Sequence, residues 1–182
     1  ILDVRSAAET LRVYPARLAG INFTEGMVKF YATDSTGRIT HLILNDVTGD
    51  LDQYGVLTSM QNLSAGINTA ATYTYNIQGQ PQTVMLDVLY AVEPGPFVLR
   101  TDGSLASLTG KVNLTNLSGG LGYDKSGGSW KLAEDLQVFV HSSGYTYVSQ
   151  GYVAEGYTLT GYYDKSAANG GCIRVVIAEP IK

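Results

Sequence analysis

Three carboxylates crowd one short stretch, Asp46-Val47-Thr48-Gly49-Asp50-Leu51-Asp52, a spacing that could bring oxygens around a calcium ion. Calcium needs about six to eight of them, and the EF-hand loop supplies them at alternating positions closed by a glutamate. Neither the alternation nor the closing Glu is present. A solvated turn between strands is the better reading of Asp46, Asp50 and Asp52. Nucleophilic catalysis would require Ser or Cys beside a histidine held by a carboxylate. His41 lies on an apolar strand, on the face opposite Leu42, and His141 opens the turn at Ser142-Ser143. Cys172, the one cysteine, reads as a half-buried strand residue or an edge thiol. A glycosidase would need two opposed carboxylates lining a groove, and Glu9 and Glu134 read instead as turn or cap residues. Tyr73 and Tyr75 on one strand, with Tyr145 and Tyr147 on another, would make a sugar-stacking platform if exposed, although cross-strand pairing is the commoner use of such residues. Catalytic residues, a cofactor and a metal are therefore not expected.

Composition explains this poverty of chemistry. Of 182 residues only 15% are charged, against 45% hydrophobic, so surface polarity falls to Ser, Thr, Asn, Gln, Gly and Tyr. That suits β-structure and an extracellular setting. A net charge of −4 without a Lys/Arg cluster excludes nucleic acid and anionic membrane as partners. No run approaches the length of a membrane-spanning helix. A single cysteine excludes a disulfide framework. The chain starts at Ile1 and reads as an excised or processed fragment of something longer, so the lack of a signal peptide says nothing about export. The sequons at Asn22, Asn62, Asn113 and Asn116 follow from composition.

Strand signals recur along the whole chain. Met27–Tyr31 and Arg38–Leu44 flank the turn Asp34-Ser35-Thr36-Gly37, and Ala71–Ile77 turns at Gln78-Gly79 toward Thr83–Leu86. Pro96–Arg100 runs into Asp102-Gly103, and Leu136–Val140 and Tyr145–Val148 flank Ser142-Ser143-Gly144. Only Ser6–Leu11 suggests a turn or two of helix. Short strands at close spacing predict an all-β fold, a barrel or sandwich.

An internal repeat organises these strands. Ala8–Tyr14 matches Ala133–Phe139, and FYATDSTGRITHLIL (Phe30–Leu44) matches YYDKSAANGGCIRVVIA (Tyr162–Ala178), in the same order. Ile39, Leu42, Ile43 and Leu44 are predicted core, with Ile173, Val175, Val176 and Ile177, while Gly37 and Gly171 permit the turns. A three-strand unit cannot cover its own apolar face. Either the two copies pair in one subdomain, 1–47 plus 119–182, around an inserted barrel of 48–118, or each belongs to a separate barrel. The first is favoured, with the glycine-rich stretch Gly119–Gly128 as a flexible boundary.

The ending TGYYDKSAANGGCIRVVIA and the stretch RITHLILNDVTGDLDQYGVLTS resemble the terminal motif and a strand-to-barrel link of β-rich repeat modules in clostridial-type Firmicutes cell-surface proteins that carry S-layer homology domains. Cys172 stands where those modules have a polar residue. The resemblance covers about half of the chain and implies an extracellular, cell-wall location and no reaction. It implies a noncatalytic spacer or adhesion module whose partners are neighbouring domains of the same surface protein; the alternative is a module binding carbohydrate or cell-wall polymer.

Overall fold

The computed structural model describes residues 1–181, and the chain is all-β, with short 3-10 turns as the only helical elements among the described residues. Among the described residues no helix is long and apolar enough to cross a membrane. The chain divides into two compact units, Ile1–Asp52 with Lys165–Gly171, and Gln53–Asp164 with the residues from Cys172 on. The expected boundaries at 47/48 and 118/119 lie elsewhere. Gly119-Gly120 and Gly127-Gly128 are tight turns inside one sheet rather than a flexible boundary, with Gly119, Gly120 and Gly127 at positive φ.

The first unit holds β1 (Leu2–Val4), β2 (Thr10–Arg12), β3 (Val28–Thr33) and β4 (Ile39–Leu44), in the order β2-β1-β4-β3. The predicted helical turn at Ser6–Leu11 is instead the bend and return of the β1–β2 hairpin, with Asp3 opposite Leu11 and Val4 opposite Thr10. Six residues cannot offset helix nucleation, and strand pairing wins. β1 runs parallel to β4. The β3–β4 turn is held by Asp34, whose Oδ1 accepts the N–H groups of Thr36 at 2.8 Å and Arg38 at 3.0 Å, with Gly37 at φ 83°. Val13, Leu18, Leu44 and Val47 form the core of this unit.

The second unit contains an open sheet and a barrel. β5 (Gln53–Asn62), β6 (Ala71–Ile77), β7 (Gln80–Leu86), β8 (Gly95–Leu99) and β9 (Leu105–Ser107) pair in the order β7-β6-β5-β8-β9. β10 (Gly110–Ser118), β11 (Leu121–Asp124), β12 (Ser129–His141), β13 (Tyr145–Val148), β14 (Tyr157–Tyr163) and β15 (Ile173–Pro180) follow. Pairing of β11 with both β10 and β12 closes β10, β11, β12, β15 and β14 into a five-stranded barrel with β13 outside it. Counted along the chain, the third and fifth barrel strands are parallel neighbours, a Greek-key closure of the OB type. Leu114, Leu159, Ile173 and Val176 pack together in one cluster, and Val175, Ile177 and Phe139 pack with Tyr54, Val56 and Val98 of the open sheet. β15 is thus covered on both faces, which explains its apolar run Val175–Ala178.

The internal repeat has a structural counterpart. The strips β2-β1-β4-β3 and β13-β12-β15-β14 share strand order, pair direction and register. Tyr31 opposes Leu42 as Gly161 opposes Val176, and Leu2 opposes Arg12 as Phe139 opposes Tyr147. Leu2 lies beside Ile43 as Phe139 lies beside Ile177. The match of Arg38–Leu44 to the second copy therefore holds, but Phe30–Tyr31 correspond to Thr160–Gly161 rather than to Tyr162–Tyr163, and the match of Ala8–Tyr14 to Ala133–Phe139 does not hold. β1, not β2, is the counterpart of β12.

Equivalent strands differ in burial. Ile173, Val175, Val176 and Ile177 are buried, whereas Leu42 and Ile43 are half-buried and Ile39, predicted core, is 59% exposed. Only one face of β4 is covered. The turn glycines also differ from expectation, because Gly170 takes the positive φ of 93°. Gly171 is needed for close approach, since a Cβ there would collide with the Lys165 carbonyl oxygen. Ile173→Ala should cost about 3 kcal/mol in urea unfolding and Ile39→Ala less than about 0.5 kcal/mol. Similar costs at both positions would contradict the difference in burial.

Candidate functional site

The densest polar cluster lies in the first unit and starts from a buried carboxylate. Asp3, on β1, is fully buried and accepts the N–H groups of Val47 at 2.9 Å and Thr48 at 2.8 Å and the Thr48 hydroxyl at 2.7 Å. These bonds fix the loop after β4, where the calcium candidates lie. Asp46 and Asp52 both accept from Arg5, at 2.8 Å and 2.9 Å. Asp50 accepts from Arg17, which also donates to the Thr48 and Gly170 carbonyls. Lys165 donates to the carbonyls of Asp46 and Val47. Asp52 and then Asp46 hold the Arg5 guanidinium charged, above its ordinary range. Among the described residues no three His, Cys, Asp or Glu side chains are placed to hold a metal ion. The three carboxylates are turned toward arginines, whose fork geometry suits them.

A second cluster, in the barrel unit, escaped sequence reasoning. Arg174 is 2% exposed and lies with its guanidinium 4.6 Å from the Tyr54 ring centroid. The Tyr54 hydroxyl donates to Asp164 at 2.8 Å. Gln137, also buried, accepts the Gln78 N–H at 2.6 Å and so ties the β6–β7 turn to β12. Arg174 inside the apolar run of β15 was the available signal, because a charge on a buried strand needs a partner.

The tyrosine candidates separate. Tyr73 and Tyr75, proposed for sugar stacking, are core residues at 0% and 4% exposure, since residues 71, 73 and 75 share the inward face of β6. Tyr73 bonds the Val88 carbonyl, and the Tyr75 ring packs 5.2 Å from Phe97. Tyr145 is half-buried and stacks on His141, 4.4 Å between centroids. Tyr147 is partly exposed and packs edge-on against Phe139. No platform spans the four. His141 contacts Glu179 at 3.5 Å, and His41 Nδ1 lies 3.2 Å from the Thr40 hydroxyl. Cys172 is buried just before β15 begins, so it is neither a half-buried strand residue nor an edge thiol.

Asp124 organises the turn before β12. The Ser126 hydroxyl, then the Trp130 indole N–H and the backbone of Gly128, hold its carboxyl down to about 2. Trp130 in turn stacks on Tyr163 at 5.4 Å.

The arrangement is a set of internal clamps on β-scaffolding. No protein-family model matches the chain, and no curated protein and no solved structure gives a significant match.

Three outcomes follow from these geometries. Arg5→Ala removes the guanidinium that bonds the 2%-exposed Asp52 side chain and should cost about 3 kcal/mol in chemical denaturation. Millimolar calcium should leave the wild-type melting temperature within about 1 °C of its value in chelator. Asp124 titrates below the unfolded carboxylate value of about 4. Its stabilising contribution is therefore full above that pH and is lost as pH falls through about 2. The Trp130 indole N–H resonance should follow a midpoint of about 2, and a midpoint near 4 would contradict the turn geometry.

Proposed function

We propose that the chain is a noncatalytic structural module of a bacterial cell-surface protein, spacing or displaying neighbouring domains outside the cell. One observation supports the reading most: the charged groups best suited to chemistry are engaged in internal restraints. Asp46, Asp50 and Asp52 pair with Arg5 and Arg17, Asp3 caps a loop, and Arg174 is buried over Tyr54. Such groups stiffen a scaffold and do not activate a substrate. The likeness of TGYYDKSAANGGCIRVVIA to modules of Firmicutes surface proteins with S-layer homology domains supports the location.

A second reading, binding of carbohydrate or cell-wall polymer, draws on the barrel. OB-type barrels bind oligosaccharides on the face of their second and third strands, an analogy of fold alone. The Cβ direction at Gly122 points inward at Leu114 and Leu132, so its neighbours Leu121 and Tyr123 point outward, opposite Lys131 and Ser129.

Antibody to the chain should label intact, unpermeabilised cells of the source organism, and labelling only after lysis would end the cell-surface reading. A glycan array and a pull-down on purified cell wall should retain nothing. Retention abolished by Tyr123→Ala would move the assignment to polymer binding.

A further inference from the structure

The first unit contains only part of a barrel. By register, β1, β4 and β3 are the counterparts of β12, β15 and β14, the last three barrel strands in chain order. Counterparts of β10 and β11 are absent from its sheet, whose order ends at β3. In the second unit β10 covers that edge, pairing Gly110 with Tyr163, Lys111 with Tyr162, Val112 with Gly161 and Leu114 with Leu159.

The uncovered edge is apolar. Phe23, Phe30 and Tyr31 are 44%, 53% and 62% exposed. With Val28 they line a shallow groove of about 550 Å³ along β3, which Glu25 and Lys29 also border. Folded proteins usually block such an edge with charge, proline, a bulge or a covering segment. Here β3 carries one lysine and two register shifts, between Val28 and Phe30 and between Ala32 and Thr33, and leaves Phe30 and Tyr31 between them exposed.

We propose that the β3 edge is a docking site for a β10–β11-type hairpin of a partner chain in which that hairpin is free, since β10 and β11 of this chain are already paired on both edges. The incoming strand has the polar–apolar alternation of Gly110–Leu114 and adds antiparallel to β3 by main-chain pairing. The register of β10 on β14 carries over: glycine opposite Thr33, valine opposite Tyr31 and leucine opposite Val28. Valine and leucine then cover the groove, and the unit gains its fourth and fifth barrel strands. The inference does not rest on a cell-surface location.

The test joins a second copy of the Gly110–Asp124 sequence, through a flexible Gly/Ser linker of about 15 residues, to the amino end of the intact 182-residue chain. Backbone hydrogen exchange is read at Val28–Thr33. Docking should slow exchange there by about tenfold or more, and proline in place of the copied Val112 and Leu114 should restore the original rates. Unchanged β3 exchange, or equal slowing by the proline form, would overturn the proposal. If the fusion disturbs the β5–β15 amides, the same hairpin is added in trans as a peptide at about 1 mM. Slowing confined to β3 and absent with the proline peptide supports docking, and its absence refutes it.

Discussion

A buried carboxylate sets the geometry of the first unit. Asp3 has no solvent to compensate its charge, so the surrounding backbone must do so, and the N–H groups of Val47 and Thr48 converge on it. That convergence fixes the loop after β4 and aims Asp46, Asp50 and Asp52 at Arg5 and Arg17. The segment with the best spacing for a metal thus becomes an ion-paired brace. Surface ion pairs contribute little singly, but shared guanidiniums on a loop already fixed by buried hydrogen bonds lose less side-chain entropy.

The barrel unit solves a similar problem with a cation. Arg174 lies on a strand whose two faces are both covered, so it has no route to water. The Tyr54 ring and Asp135 at 4.0 Å receive its charge instead. Tyr54 is oriented in turn by Asp164, and Gln137 ties the β6–β7 turn to the barrel wall. These contacts join the open sheet to the barrel where Val56, Val98, Phe139 and Val175 meet. Polar specificity and apolar packing thus act at one interface, and a shift of the sheet would break both.

The two strips of common register show how far neighbours change the meaning of a similar strand. Ile39 and Ile173 follow comparable turns and begin comparable strands, yet one is 59% exposed and the other buried. β15 has the barrel on one side and the open sheet on the other. β4 has a core on one side only, and Leu44 alone of its predicted core residues is fully covered. Glycine positions record the same dependence. Gly161 admits Leu114 and Ile173 against the backbone of β14, whereas its counterpart Tyr31 has no strand to admit.

The sequence by itself determined the all-β class, most strands and turns, and the likeness of β3–β4 to β14–β15. These are local properties: alternation, β-branching and turn chemistry act within a few residues. It did not determine the unit boundaries, the pairing of β1 with β4, or the alignment of Ala8–Tyr14. Parallel neighbours are joined through long connections that leave no local pattern. Nor could it place Tyr73 and Tyr75 in the core, because alternation defines two faces without saying which one will be covered. Partners distant along the chain decided that, and they turned every carboxylate of the apparent calcium motif toward an arginine.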